Sequence, residues 1–267
     1  MPRGAMRGIG ALVTVGVLVL AGLAAWGDEI RVPEDYDSLE EAMKMAGWDD
    51  VILISHMHDV HESISVRNVR RVTITGSWVF SNNTIEGRYD TEPVIELINC
   101  SDITFENVDI IARRLSDNRR TSSGGIRTER CSDIQFINCS ITTHGGPGIE
   151  GGGIELENCT IRDNLTWGIE LVGDPSDPTA TELSLEDTTV TSNPSGGLRI
   201  QDAVVTLEES SFTSNSGYGI MVDGNSEVRF RETGSPSRIT GNALGGILVS
   251  DATFTPVSYT HLTLPTN

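Results

Sequence analysis

One short motif recurs five times along this 267-residue chain and restricts the folds that the chain can adopt. Each copy starts with an apolar residue and has Asn three positions later. Gly follows four positions after the Asn, and an apolar residue comes directly after the Gly. The copies are ITTHGGPGIEG (141–151, with His144 in the Asn place), IRDNLTWGIEL (161–171), VTSNPSGGLRI (190–200), FTSNSGYGIMV (212–222) and ITGNALGGILV (239–249). This regularity indicates a repeated structural unit stacked on itself.

A second unit of alternating apolar and polar residues lies between the copies of the first. It begins at residues 72, 103, 134, 154, 183, 205 and 228, so successive copies are 20 to 31 residues apart. Alternation places every second side chain on one face of a strand, Asn tolerates left-handed backbone at a bend, and Gly permits a sharp entry into the next strand. Repeats of this length with three short strands per turn are typical of a β-solenoid, in which equivalent side chains stack from coil to coil.

The N-terminal part of the repeat region contains the one good helical pattern. YDSLEEAMKMAG (36–47) has a capping box formed by Ser38 and Glu41, one apolar face, and Gly47 at its end. The surrounding segment, IRVPEDYDSLEEAMKMAGWDDVILISHMHDVHESISV, is similar to the cap helix, first strand and Tyr-x-Glu-like turn of a known superfamily, with Glu62 in the Glu place.

Over residues 30–254 the chain resembles the right-handed parallel β-helix proteins of the pectate-lyase-like superfamily. The resemblance implies an all-β fold, a right-handed single-stranded parallel β-helix of about seven to eight coils with a short N-terminal cap helix. It does not imply one activity, because the superfamily contains lyases, hydrolases, epimerases, adhesins and copper-maturation proteins.

The first residues have the pattern of an export signal. Arg3 and Arg7 precede an apolar run from Ile9 to Leu23 and then small residues, which predicts a secretory signal peptide over 1–27. The alternative is an uncleaved membrane anchor. Export would place the protein outside the cell, in the periplasm or on the cell surface, with membrane contact only through an uncleaved signal.

The last residues are interpreted as having a different origin from the rest. VSYTHLTLPT (257–266) resembles translated sequencing-adapter sequence, so 257–267 is interpreted as a non-native tail. The remaining chain then divides into an N-terminal cap and first coil, 28–71, and β-helix repeats, 72–256, that stop in mid-coil. Because an uncapped coil would expose an apolar strand edge, we expect self-association through it.

The charge balance restricts the partners. The chain has 19 Lys and Arg against 38 Asp and Glu, a formal net charge of −19. Nucleic acids and anionic membranes need clustered cations, so neither is expected as a partner. A polysaccharide is the partner that the resemblance implies.

In proteins of this superfamily, ligands usually lie along the outer face of the first strand of each coil, here the Gly-Ile segment. The residues predicted to point outward there are Glu96, Arg127, Glu150, Glu170, Arg199, Met221 and Leu248. Among them, Glu150 and Glu170 are candidate catalytic acid or base groups, and Arg127 and Arg199 are candidates for holding an acidic sugar. The alternative is a solvated face of Glu–Arg pairs, each contributing little.

Aspartates follow the same strands and offer oxygen ligands. Asp174, Asp202, Asp223 and Asp251 come just after the Gly-Ile segments, and Glu150 and Glu170 are predicted to lie on adjacent coils as like charges. Carboxylate oxygens suit Ca²⁺, so the sequence predicts Ca²⁺ as a cofactor, with Asp174, Asp202 and Asp223 as its ligands.

A histidine cluster offers a second kind of metal site. His56, His58 and His61 form the pattern H-x-H-x₂-H. In an extended strand His56 and His58 would share one face, which suits Zn²⁺ or Cu²⁺. The alternative is a group of exposed turn residues.

The four cysteines fall into two pairs by register. Cys100 and Cys131 both begin Cys-Ser-Asp-Ile, and Cys139 and Cys159 both follow Asn in the second unit. Each pair is predicted to stack across adjacent coils, either as a disulfide or as reduced, parallel thiols.

The sequence lacks the Gly-His-Gly and Arg-Ile-Lys signatures of polygalacturonase-type hydrolases, and it lacks their Asn-x-Asp with a following paired Asp. The resulting hypothesis is an exported β-helix protein that binds or cleaves an extracellular polysaccharide, as a polysaccharide lyase or glycoside hydrolase if it is an enzyme. The alternatives are a non-catalytic surface or adhesion module and a periplasmic metal-handling β-helix protein.

Overall fold

The computed structural model describes residues 27–55, 59–76, 83–87, 92–112, 123–231, 233–250 and 252. The predicted signal up to residue 26, His56, His58, Asp251 and the adapter-like tail lie outside the described residues. Within the described ranges, no helix has both the length and the apolar character needed to cross a membrane.

The described residues form one α-helix, one short 3₁₀ turn and a long series of short strands. The helix α1 is Leu39–Met45 and the 3₁₀ turn is Pro178–Ala180. The strands in chain order are β1 (Glu29–Val32), β2 (Asp50–Ile54), β3 (Ile64–Arg67), β4 (Arg70–Thr75), β5 (Asn83–Gly87), β6 (Ile95–Ile98), β7 (Ser101–Glu106), β8 (Val108–Ala112), β9 (Ile126–Glu129), β10 (Ser132–Ile137), β11 (Ser140–Thr142), β12 (Ile149–Glu150), β13 (Ile154–Glu157), β14 (Thr160–Arg162), β15 (Trp167–Val172), β16 (Glu182–Glu186), β17 (Thr189–Thr191), β18 (Gly196–Gln201), β19 (Val204–Glu208), β20 (Ser211–Thr213), β21 (Tyr218–Asp223), β22 (Glu227–Arg231), β23 (Arg238–Thr240) and β24 (Gly245–Ser250).

These strands build three parallel sheets, and successive coils add one strand to each. Sheet A has the order β1-β2-β4-β7-β10-β13-β16-β19-β22, sheet B the order β5-β8-β11-β14-β17-β20-β23, and sheet C the order β3-β6-β9-β12-β15-β18-β21-β24. In each coil the chain passes from sheet C to sheet A to sheet B. The predicted all-β parallel β-helix is therefore confirmed.

The core is a set of aliphatic stacks that run along the axis of the helix. Ile169 pairs with Leu198, Leu198 with Ile220, and Ile220 with Ile247, so the predicted single file of apolar residues is confirmed. The first three side chains are fully buried. Burial of each such side chain stabilises the fold by about 1.5–3 kcal/mol, and the stack repeats this in every coil.

A buried asparagine ladder joins the coils at the corner after sheet B. Asn164 donates its backbone N–H and its amide Nδ2 to Asn193 Oδ1, both at 3.1 Å. Asn193 makes the same two bonds to Asn215 Oδ1, at 3.0 and 3.1 Å, and Asn215 bonds to Asn242. His144 takes the first place, with its backbone N–H donated to Asn164 Oδ1. Each motif Asn thus bonds its equivalent in the next coil. The left-handed backbone expected at the motif Asn lies instead on the residue before it, at Asp163, Ser192 and Ser214, with φ of 57°, 58° and 56°.

The cap helix is held at its N-terminus by two side chains. Ser38 Oγ accepts the N–H of Glu41 at 3.2 Å, as predicted. Glu62, from the turn before β3, accepts the backbone N–H of Leu39 at 2.6 Å and the hydroxyl of Ser38 at 2.8 Å. A carboxylate at this end also interacts favourably with the helix dipole, so Glu62 ties the helix to the first coil.

The cysteines are free thiols that stack by register. The backbone N–H of Cys100 lies 3.4 Å from Cys131 Sγ, and Ser140 and Thr160, which follow Cys139 and Cys159, pair across β11 and β14. The thiol of Cys159 donates to a backbone carbonyl at 3.2 Å. The geometry corresponds to the reduced alternative.

Candidate functional site

The outward residues of sheet C form one line that crosses the coils, which we call the outer column. Its members are Glu96, Arg127, Glu150, Glu170, Arg199, Met221 and Leu248, and each pairs in register with the next. Adjacent members are therefore about 4.8 Å apart along the axis. The structure thus brings the candidate acid or base groups Glu150 and Glu170 together with the candidate sugar-holding residues Arg127 and Arg199. The column becomes apolar at its C-terminal end.

The outer column contains two sets of ion pairs, which are separated by one pair of neighbouring like charges. Arg127 lies between two carboxylates, with Nη2 at 3.0 Å from Glu150 Oε2 and Nη1 at 4.0 Å from Glu96 Oε1. Arg199 Nη1 is 2.5 Å from Glu170 Oε1. Glu150 and Glu170 are register neighbours. Each pairs with an arginine in the coil on its other side, Glu150 with Arg127 and Glu170 with Arg199.

These pairs are partly hydrated. The side chains of Arg127 and Glu150 are 41% and 48% exposed, and those of Arg199 and Glu170 are 33% and 23% exposed. Exposed ion pairs of this kind contribute little to stability. Their donors and acceptors can therefore exchange protein partners for ligand partners at small cost.

A cavity that the sequence analysis missed continues the same face toward the corner between sheets C and A. Arg67, Asn68, Ile98, Asn99 and Arg130 line this space of about 320 Å³. We call it the arginine pocket. Its volume lies within the range of small-molecule sites.

The floor of the arginine pocket is apolar and its walls are cationic. Ile98 is only 5% exposed although it lies outside the core cluster, and it pairs with Arg67 in one neighbouring coil and Glu129 in the other. Arg130 pairs with Glu129 at 2.7 Å. No described residue forms an ion pair with Arg67. The signal in the sequence was weak, because the lining residues lie two or three positions after the outward strand residue of their coils, outside the repeated motifs.

The three aspartates predicted as Ca²⁺ ligands do not converge. Asp223 is the last residue of β21, whereas Asp202 lies one position beyond β18 and accepts the N–H of Asn225 at 2.9 Å. Asp174 lies in a turn, where hydrogen bonds from the Ser176 hydroxyl and N–H lower the pKa of Asp174. Among the residues that the structure describes, no three His, Cys, Asp or Glu side chains form a metal-binding group. Ca²⁺ binding stays a prediction without this ligand set.

Of the three histidines in the predicted metal site, only His61 lies among the described residues. His61 Nδ1 lies 2.7 Å from Glu86 Oε2 of β5, and its side chain is 62% exposed. Its two predicted partners lie outside the described residues, so the Zn²⁺ or Cu²⁺ site stays a prediction.

A family model described as right handed beta helix region matches residues 62–234 of the chain. This range contains most of the outer column and the whole arginine pocket. No curated protein sequence matches the chain.

Two of the solved structures that match the chain illustrate the similarity in fold. A point mutant of the periplasmic alginate epimerase AlgG is 12% identical with a TM-score of 0.53, over 85% of this chain and 55% of that one. Jun a 1, the major allergen from cedar pollen, is 12% identical with a TM-score of 0.53, over 91% of this chain and 83% of that one. This chain thus spans about half the length of the epimerase. Similarity at this level of identity shows the fold alone.

Proposed function

The chain belongs to the right-handed β-helix family, and from that premise we propose that the outer face of sheet C binds a polysaccharide. The observation that carries the proposal is the continuity of the outer column with the arginine pocket. Together they make a polar, partly hydrated track across the coils, which suits a long polymer better than a compact ligand.

The charge pattern of this track supports a sugar chain that carries acidic groups. The track contains four guanidinium groups, on Arg67, Arg127, Arg130 and Arg199. It contains four carboxylates, on Glu96, Glu129, Glu150 and Glu170. The whole chain has 38 acidic against 19 basic residues, so this face is less acidic than the average surface. Guanidinium groups bind carboxylates through paired hydrogen bonds, and the glutamates can accept from sugar hydroxyls.

The ion pairs favour binding over turnover. A catalytic acid or base must face the proton that it transfers, whereas the carboxylates of Glu150 and Glu170 each face an arginine side chain. This geometry therefore favours a non-catalytic surface module that binds the polysaccharide. A lyase or hydrolase is the second candidate.

Binding is tested by affinity electrophoresis through gels that contain pectate or alginate. Arg199→Ala is expected to weaken retardation about tenfold, because a charge-assisted contact is worth about 1.5–3 kcal/mol. Arg162→Ala is the matched control, because Arg162 pairs with Asp163 at 2.6 Å on sheet B, away from the track. Equal retardation of both variants would contradict the proposed face, and an unretarded wild type would contradict polysaccharide binding.

Turnover is tested by incubating the same polymers with protein and measuring chain length and new reducing ends. If the second candidate is correct, Glu150→Gln abolishes product formation and Glu155→Gln, on the outer face of sheet A, does not. Product formation that survives both Glu150→Gln and Arg199→Ala would remove these residues from any catalytic role.

A further inference from the structure

Aromatic residues and glycines alternate at the position where the last four strands of sheet C begin. Trp167 pairs with Gly196, Gly196 with Tyr218, and Tyr218 with Gly245, in four successive coils. The outer column lies three residues further along the same strands. The Gly-apolar part of the motif is visible in the sequence, whereas the alternation becomes apparent when the coils are stacked in register.

Each aromatic ring lies over the glycine of the next coil. A Cβ on Gly196 would lie 2.1 Å from Trp167 Cζ3, and one on Gly245 would lie 3.3 Å from Tyr218 Cε1. Both glycines have a backbone that other residues rarely adopt, with φ of 150° and 143°. The absence of side chains there leaves room for the rings, and two rings cover four coils.

The two aromatic side chains form an apolar strip beside the polar track. Trp167 and Tyr218 are half-buried, so each residue keeps part of its surface open to solvent. Leu165 and Leu244, from the turns that precede the strip, are 50% and 64% exposed. The rings repeat every second coil, roughly 9.6 Å at 4.8 Å per coil, which is close to the length of a disaccharide unit.

We propose that Trp167 and Tyr218 are stacking sites for the pyranose rings of the bound chain. A pyranose has an apolar face of C–H groups and an edge of hydroxyls. The strip would take the faces while the outer column takes the polar edge. This inference rests on the proposed polysaccharide function, but it assigns a contact that does not depend on the charge of the sugar.

A purely structural role makes a different prediction. Aromatic rings can cover exposed glycines and stabilise a sheet without binding anything. In that case Trp167→Ala would lower the melting temperature and leave the affinity for sugars unchanged.

The test uses two polymers that differ only in charge, pectate and carboxyl-reduced pectate. Retardation by each in affinity gels is measured for Trp167→Ala, Tyr218→Ala and Tyr218→Phe, with Trp48→Ala as the control. Trp48 is 71% exposed and contacts Arg71 at the N-terminal end of the molecule. Circular dichroism and thermal melts show whether each variant is folded.

Stacking predicts that both alanine variants bind both polymers about fivefold more weakly, from the energy of aromatic contacts. It also predicts that Tyr218→Phe and Trp48→Ala bind like the wild type, and that either polymer quenches the fluorescence of the wild type but not of Trp167→Ala.

Unchanged retardation of folded alanine variants overturns the inference and leaves polysaccharide binding intact. If an alanine variant fails to fold, the wild-type protein decides, because unquenched fluorescence with a bound polymer also overturns the inference. A wild type that neither polymer retards overturns the proposed function and the inference together.

Discussion

The asparagine ladder predicts a large loss of stability from a single amide. Asn193 is fully buried, and its Oδ1 accepts two hydrogen bonds from Asn164, at 3.1 Å each. Its Nδ2 donates to the carbonyl of Thr191 at 3.0 Å and to Asn215 Oδ1 at 3.1 Å. Asn193→Ala removes these partners and leaves a space too enclosed for easy hydration.

The magnitude follows from the groups left without partners. Asn164 would lose the acceptor for its backbone N–H and for one amide hydrogen inside the core. Each buried donor left unsatisfied costs about 1–3 kcal/mol. We therefore expect Asn193→Ala to lower the free energy of unfolding by about 3–4 kcal/mol, which is a large part of the stability of an ordinary domain.

Urea denaturation followed by circular dichroism measures this loss. Asn225→Ala is the matched control, because Asn225 is exposed and its amide makes one bond, to the Pro175 carbonyl at 3.1 Å. The control should lose no more than about 1 kcal/mol. Comparison is valid if the denaturant slope is the same in all three proteins. A loss in Asn193→Ala equal to that of the control would refute the view that the ladder supplies essential bonds to the core.

Three further outcomes are expected. Burial, and then the charge of Glu157, raises the pKa of Glu106. The stability that the protonated Glu106 side chain provides is therefore present below its unfolded pKa and is lost as pH rises through its folded pKa. Glu106→Gln should thus resist urea better than wild type at neutral pH but not below about pH 4. Gly196→Ala should lower the melting temperature by several degrees, since its Cβ would meet the indole ring of the preceding coil at 2.1 Å and strain costs about 1–3 kcal/mol; an unchanged melt would contradict this. Isothermal titration with Zn²⁺ should show binding that a His56/His58 double alanine variant lacks, and equal binding would remove the histidine site.

Much of the fold could be predicted from local patterns. The inward positions of Ile169 and Leu198, the stacking of Asn164 on Asn193, and the N-cap at Ser38 all follow from short segments. Alternation has a period of two residues in any strand, and equal motifs in successive coils must stack in register. The order of charges in the outer column could be predicted for the same reason.

The partners of these residues could not be predicted in the same way. The hydroxyl of Ser38, which caps the helix, donates to Glu62, 24 residues later. The predicted Ca²⁺ ligands Asp202 and Asp223 fall at different positions in their coils. The first contact depends on how the turn before β3 packs against the helix, which a repeat pattern alone does not state. The second difference is one of spacing, because Asp202 comes three residues after Arg199 and Asp223 two residues after its register partner Met221.

Which side chains face inward or outward is thus encoded in each short segment, because pleating alternates residues wherever a strand forms. Which outward groups meet is decided when the coils stack. The arginine pocket combines Arg67 and Arg130 from separate coils, with Arg130 at a left-handed corner of φ 53°, and Trp167 reaches the glycine of the following coil. Such contacts depend on corner geometry and on side-chain length across a neighbouring strand, and neither is set until the solenoid has formed.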